Sequence, residues 1–442
     1  MRKRLLLGAL GLTLSLPGYA ENLLEIYKLA MQNDPIFLAA KQQFFATKEI
    51  QNQSFAQFLP TLNLSADYDR INTQYSGAVG DKNYSAYGYS LSLKQAIFHN
   101  DYFAQYRQAK YQVAQAAATF NNVTQELIVR VADRYFTLLG SLDNLNFVTA
   151  EQEAIGEQLN QTKQRFNVGL VAITDVAESQ ARYDQSSAQR IEAVNLVANS
   201  REKLREVTGQ FPQTIAPLVP KVPLLPPEPD NQEEWVKTAK ERSLTLIAAK
   251  KAMDIAREQV DVAKSGHYPT LDLVASAGRT QQDGALFSDV TGADTDDARI
   301  GLQLNLPIYE GNLIVSNTRE ASYLFAKSKE LFNQELRATE LNARTSFLNV
   351  QANISTVVAF KQALKSSRTA LKATEAGYEV GTRTAVDVLN SRQDVYRAER
   401  DYARSRYTYL LETLKLKKAA GILTEQDVVA INQLTTNSEP IP

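Results

Sequence analysis

The sequence predicts an α+β membrane protein, in which each chain lends four β-strands to an oligomeric β-barrel that continues into long α-helices. Three observations predict it. Beyond the first twenty residues no segment offers eighteen consecutive apolar residues, so a membrane protein of this sequence crosses as a barrel, the other structure that satisfies every backbone polar group in lipid. Four segments alternate apolar and polar residues with a period of two. Two stretches, 61–211 and 308–439, contain no proline, and proline is excluded from helix interiors.

The elements follow in order. Arg2, Lys3 and Arg4 precede an apolar run from Leu5 to Leu16, and Gly18-Tyr19-Ala20 places small residues at −3 and −1. Residues 1–20 read as a signal peptide cut before Glu21. Its removal takes three positive charges, so the formal charge of −1 becomes about −4. That balance argues against a nucleic-acid partner, which selects a basic surface. There is no cysteine, hence neither disulfide nor thiolate metal site.

Seven of the fourteen prolines fall between Pro212 and Pro229, which reads as a proline-rich linker over 212–232. The parts on either side, 21–211 and 233–422, are repeats; 423–442 form a C-terminal segment. Pro60-Thr61-Leu62-Asn63-Leu64 recurs as Pro269-Thr270-Leu271-Asp272-Leu273, and Phe166-Asn167-Val168-Gly169 as Tyr378-Glu379-Val380-Gly381. A drift from 209 to 212 in offset over such matches indicates tandem duplication.

Each repeat opens with a helix of about 35 residues, Leu23–Phe58 and then Glu233–Lys264, ending before Pro60 or Pro269. A strand pair follows. Leu62, Leu64, Ala66 and Tyr68 alternate with Asn63, Ser65 and Asp67, and Tyr87, Tyr89, Leu91 and Leu93 with Gly88, Ser90 and Ser92. The second repeat does the same with Leu271, Leu273, Ala275 and Ala277, then Ile300, Leu302, Leu304 and Leu306. This is the pattern of a barrel wall with lipid on one side and water on the other. Ser76–Asp81 and Asp283–Asp297 read as exposed hairpin tips. From Asp101 to about Val168, apolar residues from Phe120 through Leu127, Val131, Tyr135 and Leu138 to Leu145 keep a helical period. Such a helix runs about 100 Å. Ala343, Phe347, Val350, Ile354 and Val357 repeat it. Gly169 and Gly381 end these helices, and a further helix returns from each. Thr174, Asp175 and Asp387 then fall in a first helical turn, where hydroxyls cap and negative charge is favoured.

Four strands cannot seal a barrel and leave unpaired edges, so the chain must oligomerise; two copies give eight strands and three give twelve. A ring of strands continued by helices is a conduit. Aromatics at the strand–helix junctions (Phe55, Phe58, Phe98, Tyr102, Phe103, Tyr268, Tyr309) read either as an interfacial girdle or as joint packing. His99 and His267, with no carboxylate cluster beside them in sequence, read as structural. There is no catalytic triad, phosphate loop or catalytic carboxylate pair, so neither enzyme chemistry nor a cofactor or metal is expected. The rival reading is a periplasmic adaptor or scaffold built on helical hairpins, which would be soluble after lysis.

The duplicated plan, with Arg165-Phe166-Asn167-Val168-Gly169-Leu170-Val171-Ala172-Ile173-Thr174-Asp175-Val176 and Ala376-Gly377-Tyr378-Glu379-Val380-Gly381-Thr382-Arg383-Thr384-Ala385-Val386-Asp387-Val388-Leu389, resembles the TolC family of outer-membrane efflux ducts from Glu21 to about Leu434. The resemblance implies a homotrimer with a twelve-stranded outer-membrane barrel in lipid and a long periplasmic α-helical barrel. Its expected role is drug efflux or type I protein secretion, recruited by a periplasmic adaptor and an inner-membrane pump of RND, ABC or MFS type. It also implies a latch, in which Tyr378 and Arg383 hold Thr174 and Asp175, and a pore constriction four and seven residues past Arg383. There the first acidic position is Asp387, but the second is Asn390. One ring of three carboxylates attracts cations less strongly than two.

Overall fold

The computed structural model describes residues 22–73, 82–287, 290–436 and 439–440. The expected signal peptide and the tip Ser76–Asp81 lie outside them. The described residues form two units, one within 41–121 and 244–337, the other within 22–40, 122–243 and 338–440, so each unit draws on both repeats.

Each repeat opens on two helices rather than the single one expected. Helix α1 (Leu23–Asn33) begins on a capping box: the Asn22 side chain accepts from the Glu25 amide at 3.0 Å. It stops at Asp34 because α2 (Pro35–Ala56) starts at a proline, whose missing N–H is tolerated at a first helical position. The Asp34 carboxylate caps α2 by accepting from the Phe37 amide at 2.7 Å. In the second repeat α5 (Gln232–Arg242) and α6 (Leu244–Ser265) are divided at Ser243, the equivalent place.

The long helices are continuous: α3 (Asn100–Asn167) and α7 (Leu313–Glu379), returned by α4 (Ile173–Thr208) and α8 (Ala385–Ala419). The expected ladder on α3 is fully buried in its middle, with Leu127, Val131, Tyr135 and Leu138 at 0–1% exposure, and half-buried at its ends. Ala343, Phe347, Val350 and Val357 are likewise buried on α7. Side-chain bonds string these helices in the order α4, α3, α8, α7: Gln152 to Ser187 (2.9 Å), Tyr407 to Asp143 (2.6 Å), and Arg368 to Glu399 (2.6 Å). Burial first, and then the Asp143 carboxylate, push the Tyr407 hydroxyl well above the ordinary phenol range, so it stays a donor.

The proline-rich linker is pinned at several points. Tyr409 bonds the amide and carbonyl of Leu225 (2.9 and 3.0 Å), and Trp235 donates to the Pro229 carbonyl. A short β3 (Thr214–Ile215) pairs antiparallel with β6 (Glu439–Pro440), and α9 (Glu425–Asn432) precedes it.

In the other unit β1 (Thr61–Thr73), β2 (Lys82–Phe98), β4 (Thr270–Phe287) and β5 (Val290–Asn305) form one antiparallel sheet in that order. The expected tip Asp283–Asp297 is mostly ladder: β4 runs to Phe287, β5 begins at Val290, and Arg279 faces Asp296. Backbone pairing outlasts the apolar alternation, because ladder hydrogen bonds do not depend on side-chain polarity.

Candidate functional site: a lipid-type sheet and two helix turns

Cross-strand partners share a face of a sheet, so register assigns every side. One face carries Leu62, Leu93, Ala275 and Ile300 in one row, and Leu64, Leu91, Ala277 and Ala298 in the next. Leu64 is 75% exposed and Ile300 79%. The opposite face carries Ser65, Ser90, Gly278 and Asp297, with the Ser65 and Ser90 hydroxyls 2.8 Å apart. At Gly278 a Cβ would meet the Tyr89 carbonyl at 2.9 Å, so only glycine fits.

The apolar band is slanted. On β1 and β2 it runs from Leu62 and Leu93 to Tyr68 and Tyr87; on β4 and β5 it runs from Leu271 and Leu304 to Ala277 and Ala298. Charge replaces it in the next row, where Arg279 pairs with Asp294 (3.0 Å) and Asp296 (3.5 Å). The shift is four residues, roughly 13 Å along the strands, over two strand spacings of roughly 10 Å in total. A level band then needs strands inclined by about 50°, close to the tilt of membrane barrels. Among the described residues both edges of this sheet, β1 and β5, are unpaired.

At the base of the sheet the junction aromatics divide. Phe58 packs on Phe103 (5.2 Å) and Tyr102 (6.1 Å), whereas Tyr268 and Tyr309 are 51% and 79% exposed. His99 does have carboxylate neighbours, contrary to expectation. Its Nε2 lies 3.0 Å from Asp272 and its Nδ1 3.7 Å from Asp101, and its ring stacks on Tyr102. Asp272 lies 173 positions from His99, so sequence spacing could not reveal it, whereas Asp101 stands two residues along in the same segment. Among the described residues no group of three or more possible ligands could hold a metal.

The helix turns lie in the other unit and are built alike. Gly169 (φ 76°) and Gly381 (φ 78°) adopt the left-handed conformation. Around each, two bonds close the helix end: Leu170 N–H to Arg165 O with Gly169 N–H to Phe166 O, and Thr382 N–H to Gly377 O with Gly381 N–H to Tyr378 O. This is the Schellman motif, and a β-carbon is strained at its left-handed residue. Beyond it, Thr384 and Asp387 form a reciprocal capping box (3.1 and 2.9 Å). The Thr384 backbone N–H, then its hydroxyl, hold the Asp387 carboxyl below the usual aspartate range, and Arg383 adds to this. The first repeat has Ala172 at the cap, so Asp175 only accepts from the Ala172 amide (3.3 Å).

Within one protomer Tyr378 is engaged by Arg165, which donates to its hydroxyl and lies over its ring. Among the described residues no hydrogen bond joins Tyr378 or Arg383 to Thr174 or Asp175 in the same chain. Asn390 is exposed and accepts from Arg182 of α4 at 3.5 Å. Sequence reasoning missed Arg182 as well as Arg165, although Arg165 opens the quoted motif.

Comparison with known proteins agrees with this architecture. The family pattern described as "Outer membrane efflux protein" matches residues 26–210 and 235–422. The chain is 38% identical to outer membrane protein TolC of Escherichia coli K12, over 99% of this chain and 92% of that one. It is 29% identical to the alkaline protease secretion protein AprF of Pseudomonas aeruginosa, over 96% and 89%. The CmeC outer membrane channel of Campylobacter jejuni superposes with a TM-score of 0.79 at 17% identity, covering 94% of this chain and 90% of that one.

Proposed function

The chain belongs to the outer membrane efflux protein family, and from that premise we propose that it works as a homotrimeric duct opened at its two helix turns. It is an outer-membrane exit duct for efflux and secretion, with a large periplasmic helical part. Ducts of this kind work with inner-membrane pumps and periplasmic adaptors. Family members are channels, and this chain is read as a channel and not an enzyme.

The observation that carries the trimer is the four-stranded sheet with a slanted apolar band and two free edges. Three copies supply twelve strands, enough to leave a lumen. The helix order α4, α3, α8, α7 also leaves α4 and α7 as edges, bearing exposed Ile191 (71%) and Val194 (47%) on one and Leu341 (61%) and Leu348 (51%) on the other. A ring of copies would mate these edges and bury them. The same sheet disfavours the soluble scaffold.

In the gate, Tyr378 and Arg383 on one copy would reach Thr174 and Asp175, and the pump would be of RND, ABC or MFS type. Asp387 would line the constriction and Asn390 would stand where a second acid could. Exposed polar links are worth roughly 0–1 kcal/mol each, so three sets form a closure that a docking partner can release. The test is native mass spectrometry of protein extracted in mild detergent, with conductance in planar bilayers. A trimer that conducts is expected; a folded, monodisperse monomer refutes the oligomeric reading.

A further inference from the structure

We propose that the cavity walled by α4 and α8 over α3 is a binding site for a small zwitterion with an apolar body, of the size of a dipeptide. The inference goes beyond the reading of the chain as a duct and needs only one protomer. Each of the three helices lines the cavity at positions i, i+3, i+4 and i+7: from Asn144 to Glu151 on α3, from Gln189 to Leu196 on α4, and from Gln393 to Arg400 on α8. That spacing is one helical face. Three faces thus converge on a space of about 460 Å³, within the range of small-molecule sites, roughly 300–1,000 Å³.

Opposite charges line the cavity without meeting across it. Glu151 of α3 is 8% exposed, and its Oε1 has no hydrogen-bond partner. Glu192 of α4 is exposed on the wall. Arg397 and Arg400 of α8 are exposed at the mouth and bond their own helix, through Asp394 at 3.5 Å and Asp401 at 3.2 Å. Among the described residues no ion pair links either arginine to either glutamate. A buried carboxylate with an unmet oxygen is destabilising, and an ammonium placed against it would offset that.

The charge pattern selects the ligand. A metal cation would face the two arginines, and among the described residues no group of three or more possible ligands could hold one. A simple anion would face the glutamates. A molecule with both signs at opposite ends matches both: its ammonium meets Glu151 on the floor, where a charge-assisted hydrogen bond is strong. Its carboxylate meets the guanidiniums, whose planar forks suit it. Between them Phe147 and Val148 of α3 and Leu196 of α4 offer apolar surface, so the body of the ligand is aliphatic or aromatic. Packed helix axes stand roughly 8–10 Å apart, more than an amino acid can bridge with both charges on one carbon. A dipeptide fits better.

The test is calorimetric titration of the full-length protein in detergent with leucyl-phenylalanine in four forms: free, N-acetylated, C-amidated and capped at both ends. The free zwitterion should bind best. Acetylation should weaken binding about tenfold, because the partner of the amine is buried. Amidation should weaken it about fivefold, because the arginines are exposed. Glu151→Gln should bind the free dipeptide about as weakly as the wild type binds the acetylated one, and acetylation should then have no further effect. Arg397→Gln/Arg400→Gln should do the same for amidation. A glutamate that only shaped the fold would lower all four affinities together. Four forms that bind the wild type equally, or not at all, overturn the proposal. So do capping effects that survive in both variants, since the charges of the ligand would then be read elsewhere. The wild-type series needs no substitution, so it decides even where a variant fails to fold.

Discussion

The guanidinium of Arg165 at the end of α3 donates to the hydroxyl of Tyr378 at the end of α7, and its central carbon lies 5.1 Å from the centre of that ring. Two turns 213 residues apart are thus tied inside one protomer. The tie has a hydrogen bond and a cation–π part, and substitutions separate them. Tyr378→Phe removes the first and keeps the second; Arg165→Ala removes both. Each exposed part is worth about 1 kcal/mol or less. Arg165→Ala should therefore raise single-channel conductance or open probability more than Tyr378→Phe, by up to about fivefold per lost link. Tyr378→Phe/Arg383→Ser should raise it further, because Arg383 belongs to the proposed contact between copies. If Arg165→Ala leaves the channel unchanged, the pair only finishes its two helices.

The faces assigned by register make a second prediction. Leu64 lies in the apolar band and Ser65 on the polar face, one residue apart. Leu64→Arg should destabilise the barrel by about 2–4 kcal/mol per copy, the cost of arginine facing the bilayer midplane. Ser65→Arg should leave stability nearly unchanged and lower cation conductance. Denaturant unfolding in lipid and reversal potentials check the two. Equal destabilisation by both would mean that the sheet is not a membrane wall.

The sequence showed most of the frame because most of it is periodic. Alternation at Leu62–Tyr68, helical spacing at Leu127–Leu138, and the glycines at 169 and 381 each encode a local conformation without help from distant residues. The break at Asp34 was legible in principle, since Pro35 stands in the row, but the apolar pattern runs across it and hid it. Arg182 with Asn390, or His99 with Asp272, could not be read: each pair joins residues more than 170 positions apart, and no local period records which face meets which. The slant of the apolar band was present in the sequence, but it became meaningful only once register had aligned the strands.

Glu151 gives a pH-dependent prediction. It is 8% exposed, with Oε1 lacking a hydrogen-bond partner. Burial raises its proton affinity, against the opposing pull of Gln393, Arg397 and Arg400; Arg182 and Glu192 line the same grooves. A raised folded pKa means that the folded chain binds the proton more tightly than the unfolded chain. The resulting stabilisation is complete below the ordinary glutamate pKa and is lost as pH rises through the folded value. Glu151→Gln, which keeps the shape without the charge, should raise the Tm at neutral pH, and its advantage should shrink as the pH is lowered toward 4. An advantage that does not vary with pH would mean that Glu151 does not titrate there.

The last prediction concerns the proposed neck, in which Asp387 would supply one acidic ring and Asn390 takes the place of a second. Asp387 already serves the Thr384 capping box, so Asp387→Asn, which keeps the shape and some of the bonding, separates charge from structure better than Asp387→Ala. If the neck holds one acidic ring, either change should abolish most cation selectivity and most block by multivalent cations. Asp387→Ala should also loosen the first turn of α8, at a cost of about 1 kcal/mol. Asn390→Asp would add a ring about one helical turn away and by itself should tighten both properties. Arg182, however, already donates to Asn390 at 3.5 Å, and a carboxylate there would pair with it. The gain from Asn390→Asp should thus be partial, and Asn390→Asp/Arg182→Gln should bind cations more tightly than either single change. Reversal potential under a salt gradient, with and without a trivalent cation, reads all of these variants. Intact selectivity in Asp387→Asn would place the constriction elsewhere; an equal response of Asn390→Asp with and without Arg182 would remove the arginine from the neck.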